Sequence, residues 1–230
     1  MRTLYALTDR NRQAFPGNRA PWSPGVVDRA SQLEWRWFEP WFSCYPTRLL
    51  ASMAAEWRVR RDDRPKRYVD KDILWEVEGA VQYEDTWSSR CSEVKVIREV
   101  PLVGVTHQQC VHFGVLAALA VNDGPGYRAF ASAWFSGRSA VTKADWIINA
   151  WREGGRYEWA AAWCAAYGAK HLVTAAERQA TNRPGQQIQC EEHARSFAAN
   201  AAEAASLAAI AEGRQVDFTA LAQEAMEAAE

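Results

Sequence analysis

Polar and apolar side chains alternate along Glu93, Val94, Lys95, Val96, Ile97, Arg98, Glu99 and Val100. A period near two, rich in β-branched residues, predicts a half-buried strand. Pro101 lacks a backbone donor and closes it. The period then changes: Cys110, Phe113, Leu116, Ala117 and Val121 recur at the spacing of one buried helix face. Thr106 and Gln109 stand ahead of them in the capping-box relation. Asn122-Asp123-Gly124-Pro125-Gly126 ends the helix, because glycine and proline favour a turn. The junction divides the chain into a strand-bearing domain, residues 1–105, and an all-helical Ala/Trp-rich domain, residues 106–230.

In the first domain, Leu4 to Leu7 reads as a short strand closed by the polar run Thr8 to Asn11, and Phe15 to Gly25 as a Pro/Gly-rich loop. Ser31 to Tyr45 gathers Trp35, Trp37, Phe38 and Trp41; the alternation through Trp35, Trp37 and Glu39 suits a strand that Pro40 interrupts. Leu49, Leu50, Met53 and Trp57 fall at helical spacing and predict a helix over Thr47 to Val59, with Pro46 in its first turn. Arg58 to Lys71 is a charge-dense loop and Ile73 to Val77 a strand, followed by a turn at Gly79 and Tyr83-Glu84-Asp85. The expectation is three to five strands and one helix.

The second domain shows helical spacing throughout. Helices are predicted over Tyr127 to Phe135, with Phe130, Trp134 and Phe135 inward and Gly137 at the cap, and over Lys143 to Glu153, with Trp146, Ile147, Ala150 and Trp151. Two long Ala-rich helices follow, Tyr157 to Gln179 (Trp159, Trp163, Ala166, Lys170) and Gln186 to Glu212, separated by a turn at Thr181 to Gly185. Gly213 closes the second, and Asp217 caps a last helix through Met226 striped by Phe218, Leu221 and Ala222. Alanine favours helices and lets them approach closely. The fold class is therefore α+β: a small mixed or antiparallel sheet domain followed by an antiparallel helical array with tryptophan wedges.

Composition removes several classes. At 230 residues the chain can bury a real core, yet no apolar run reaches the roughly 18 residues of a membrane span. Met1-Arg2-Thr3 leads straight into a strand-like segment with no apolar leader, so a cytoplasmic protein is expected. The five cysteines are scattered and form no CxxC pair, which speaks against a zinc knuckle or disulfide framework and for buried thiols. A net charge of −1 exerts no general pull on nucleic acid. Twelve tryptophans are the unusual feature, and tryptophan serves cores, interfaces and stacking platforms alike.

No coherent catalytic, cofactor or metal set emerges. His107 and His112 are five apart on a helix, which turns them away from a shared ligand face, and His171 and His193 have no acidic or cysteine partner at a recognised spacing. Glu76 and Glu78 would share one strand face, where paired carboxylates could do acid–base work, although exposed strand acids are the commoner meaning. The basic loop Arg58, Arg60, Arg61, Arg64, Lys66, Arg67 could contact phosphates, and with Trp35, Trp37 and Trp41 make a groove for single strands, but Asp62, Asp63, Asp70 and Asp72 interleave with it and cancel much of its field. Phosphate-cradling glycine loops and nucleophile elbows are missing. The binding candidate is Trp35, Arg36, Trp37 and Trp41: rings beside arginine are the usual composition of protein–protein hot spots.

Several segments resemble a family of uncharacterised phage and prophage proteins with an α+β N-terminal domain and an Ala/Trp-rich helical C-terminal part. They are Leu4 to Asp9, Leu74 to Gly79, Ile97 to Leu102, Thr106 to Leu116, Trp134 to Ser139 and Val216 to Ala222. Members often carry a Gly and a His before the segment matching Tyr45-Pro46, where this chain has Phe42-Ser43-Cys44. The resemblance implies a phage origin and an accessory role in the host cell, with no activity to carry over. The expectation is an accessory protein that binds a host or phage protein, in the manner of a counter-defence or host-modulating factor. Two alternatives stay open: a nucleotide-handling or ADP-ribosyl-transfer enzyme using Glu76 or Glu78, and a self-associating virion or assembly component.

Overall fold

A computed structural model describes residues 2–8, 12, 14, 21–30, 41–55, 73–137, 144, 145, 147, 148, 157–181 and 183–228. The chain divides into two compact units at Gly104/Val105.

The first unit holds five antiparallel strands: β1 (Arg2–Thr8), β2 (Val27–Arg29), β3 (Phe42–Tyr45), β4 (Ile73–Glu84) and β5 (Ser89–Val100). β1 pairs with β3 and β4, while β5 pairs with β3, β2 and β4. Following β1, β3, β5 and β4 returns to β1, so the sheet closes on itself. Register shifts between Glu76 and Val77 and near Val81 interrupt the long β4–β5 ribbon; bulges of this kind bend strands enough for closure. Alternate residues point inward, and Leu4, Ala6, Phe42, Cys44, Trp75, Val77, Cys91, Val94 and Val96 form one buried cluster. Trp22 enters from outside the strands and packs edge-on to Trp75 at 6.3 Å and tilted against Phe42 at 5.9 Å.

Both buried indoles satisfy their N–H groups inside this core. Trp22 Nε1 donates to Asp28 Oδ2 (2.8 Å) and Trp75 Nε1 to Thr8 Oγ1 (2.9 Å). Helix α1 (Arg48–Ala54) packs on β1 and β3 and buries Leu50, Ala51, Met53 and Ala54. Its N-cap is Thr47, whose hydroxyl accepts from the Leu50 amide; Pro46 therefore precedes the cap instead of lying in the first turn.

One expectation changes here. β4 runs through Gly79 to Glu84 and the turn falls at 85–88, where Asp85 Oδ1 accepts from the amides of Trp87 and Ser88. Phe42–Tyr45, after Pro40, forms a strand; the strand predicted through Trp35, Trp37 and Glu39 lies outside the described residues, as does the basic loop. β2 has only three residues, too short for periodicity to reveal.

The second unit contains α2 (His107–Val121), α3 (Pro125–Phe135), α4 (Tyr157–Ala180), α5 (Pro184–Ala211) and α6 (Phe218–Glu227). The predicted capping box is present: Gln109 N–H donates to Thr106 Oγ1 (3.1 Å) and Thr106 N–H to Gln109 Oε1 (2.8 Å). Asp217 caps α6 through the Ala220 amide, and Gly137 and Gly213 close α3 and α5 at φ 66° and 65°.

α2 is buried around most of its circumference, not along one face, because α3, α4, α5 and α6 all pack on it. Val111, His112, Gly114, Val115 and Ala118 join the predicted face in the core. In α4 the buried positions are Ala161, Ala162, Cys164, Ala165, Ala166, Gly168, Ala169 and Ala175; Trp159 and Trp163 are half-buried. Small residues fill the helix contacts and the rings border them. Phe135, predicted inward, is 39% exposed. Of the helix predicted at Lys143 to Glu153, Ala144, Asp145, Ile147 and Ile148 are described and helical.

Candidate functional site

Trp35, Arg36 and Trp37 lie outside the described residues. Trp41 directly precedes β3 and is half-buried, as is Ser43, while Phe42 and Cys44 between and beyond them are buried in the closed sheet. β3 thus holds Trp41 beside a rigid core residue.

The two candidate carboxylates do share the outward face of β4, and each meets a cation directly across on β5. Glu76 stands opposite Arg98, which donates through Nε and Nη2 to Glu76 Oε2 (3.0 and 2.8 Å). Glu78 stands opposite Lys95, with Nζ 3.5 Å from Oε2. Arg29–Glu93 (2.5 Å), Arg12–Glu99 (3.1 Å) and Arg2–Glu84 extend the pattern. Opposite charges set across antiparallel strands help fix register, and here they occupy the carboxylates that acid–base chemistry would need free.

In the second unit His112 is buried, donates from Nδ1 to the Gln108 carbonyl (3.2 Å), and packs tilted against Trp134 and Phe135 at 5.7 and 5.3 Å. Burial holds its pKa below the ordinary histidine value. The neighbouring Glu158 carboxyl lifts the Glu212 carboxyl above the usual range, while Arg214, 2.6 Å away, pulls it back. A hollow of about 380 Å³ beside α3 is lined by Leu119, Arg128, Ala131, Ser132 and Phe135.

His171 and His193, which sequence spacing leaves unrelated, are in ring contact across α4 and α5 at 5.1 Å. The signal was present: both stand equally far from the turn at 181–183, so folding the helices back brings them opposite one another. Among the described residues, no group of three or more His, Cys, Asp or Glu is placed to hold a metal ion, and no helix is long and apolar enough to cross a membrane. Four cysteines are buried, and Cys190 is half-buried. Comparison of the chain with protein-family models, with curated proteins and with solved structures found no match.

Proposed function

We propose that this chain is a phage-encoded accessory protein that works in the host cytoplasm by binding another protein, as a counter-defence or host-modulating factor would. The observation that carries the reading is the run Trp35, Arg36, Trp37 and Trp41, in which large amphipathic rings flank a guanidinium; such clusters anchor protein interfaces by burying area at little entropic cost. The half-exposure of Trp41 beside β3 supports it. The ion pairing of Glu76 with Arg98 and of Glu78 with Lys95 weighs against the enzymatic alternative, since it occupies the carboxylates a substrate would have to meet.

The test is a crosslinking pull-down of tagged protein from host cells, beside a Trp35→Ala/Trp37→Ala variant whose fold is checked by circular dichroism. One specific partner recovered by the wild type and lost by the folded variant is expected. Recovery of no partner by either protein overturns the reading.

A further inference from the structure

The α4–α5 hairpin carries a row of rings between its helices. Trp163 meets Tyr167 at 4.5 Å, Tyr167 stacks on Phe197 at 5.2 Å, and Phe197 stacks on His171 at 5.5 Å with the planes 9° apart. His193 closes the row, its ring edge-on to His171 at 5.1 Å. The two residues nearest the turn are thus titratable, while the rest of the row is not charged by acid. Both are half-buried.

A neutral imidazole packs here as any aromatic ring does. An imidazolium instead sets a cation about one ring-width from a second group able to become one, at an interface of reduced dielectric. Charged and titratable groups of both signs lie nearby. Lys170 precedes His171 on α4 and is 2.6 Å from Asp145 of the 144–148 segment. On α5, half-buried Cys190, Glu191, Glu192 and Arg195 flank His193, Glu191 accepting from Gln187 at 2.9 Å. Asp145 is engaged by Lys170, and His193 and Lys170 both oppose a positive charge on His171.

We propose that His171, packed between Phe197 and His193, is a proton-operated latch: with its ring neutral the turn-proximal halves of α4 and α5 are held together, and its protonation opens the hairpin from the turn inward. Burial first, then the fields of His193 and Lys170, hold the His171 pKa below its ordinary value of 6.5. The open or unfolded form therefore binds the proton more readily. The closed form keeps its full stability above pH 6.5 and loses it as pH falls below that value.

Amide hydrogen exchange, corrected for intrinsic rates, tests this on the full chain at pH 7.5 and 5.5. Peptides spanning 171–193 should lose protection at the lower pH. Peptides from β5 should change less. His171→Phe, which keeps the stacking on Phe197 and cannot charge, should abolish the response. An equal response in that variant, or none in wild type, overturns the proposal. Should His171→Phe fail to fold, His193→Gln and proton NMR titration of the four histidines decide: a His171 midpoint at or above 6.5 overturns it as well.

Discussion

Gly79 on β4 lies against the thiol of Cys91 on β5, so closely that a Cβ at position 79 would stand 2.6 Å from Sγ and 3.1 Å from Cδ1 of Leu4. Both neighbours are fully buried inside the closed sheet. Gly79→Ala should destabilise the protein by about 1–3 kcal/mol, the usual cost of overpacking a filled core. Adding Cys91→Ala should return part of that loss, making the pair non-additive in a denaturant-unfolding cycle. Simple additivity would show that the contact is not what excludes a side chain at 79.

A close approach to backbone joins α2 to α5. A Cβ on Gly114 would meet Ala198 Cα at 2.8 Å and its carbonyl oxygen at 3.0 Å, both backbone atoms that no rotamer change can move. Helix propensity alone says that Gly114→Ala should stabilise by about 1 kcal/mol. The opposite sign is expected. Gly185→Ala, in α5 with nothing within 4 Å of the new methyl, is the control and should raise the thermal midpoint slightly.

Asp28 is buried and accepts the indole proton of Trp22 at 2.8 Å. Asp28→Ala strands that donor in the core and should cost about 1–3 kcal/mol. Asp28→Asn keeps an acceptor oxygen and should cost less. Equal losses from the two variants in chemical denaturation would mean that the carboxylate charge, not the hydrogen bond, is what matters there.

Thiol chemistry offers a separate check on the burial pattern. Cys44, Cys91, Cys110 and Cys164 are buried, and burial, with Glu203 adding to it, pushes the Cys164 thiol up to about 12. Since the thiolate is the reactive form, a disulfide reagent at pH 8 should find one fast-reacting cysteine, Cys190, and the remaining four only after unfolding. Cys190→Ser should remove the fast phase. A second fast cysteine in the native protein would contradict the packing.

Acid should weaken packing around His112 too. Its pKa is lowered by burial, so the unfolded chain binds its proton at higher pH than the native one, and stability falls as pH drops below about 6.5. His112→Phe, which preserves the ring against Trp134 and Phe135, should flatten part of the thermal midpoint's slope between pH 7 and 5. An unchanged slope would remove His112 from the account.

Local signals in this sequence were strong where neighbours in the chain satisfy one another. The capping box at Thr106/Gln109, the cap at Asp217, the glycine closures at 137 and 213 and the alternation through β5 all rest on contacts a few residues long. Each is present in the structure. The α+β class and the helical second half followed from those periods.

What only the tertiary structure decided involves partners distant along the chain. No period announces that β5 bonds to β4 on one edge and to β3 and β2 on the other, which closes the sheet and draws Gly79 onto Cys91. The single apolar face read for α2 became an almost wholly buried helix because four others surround it. Glu76 and Glu78 looked like available acids until register set Arg98 and Lys95 opposite them. His171 and His193 became neighbours only when α4 and α5 folded back on one another. Hydrogen bonds and caps within a turn are encoded by adjacent residues; burial and charge pairing depend on which distant surfaces meet, and that is settled only when the whole chain packs.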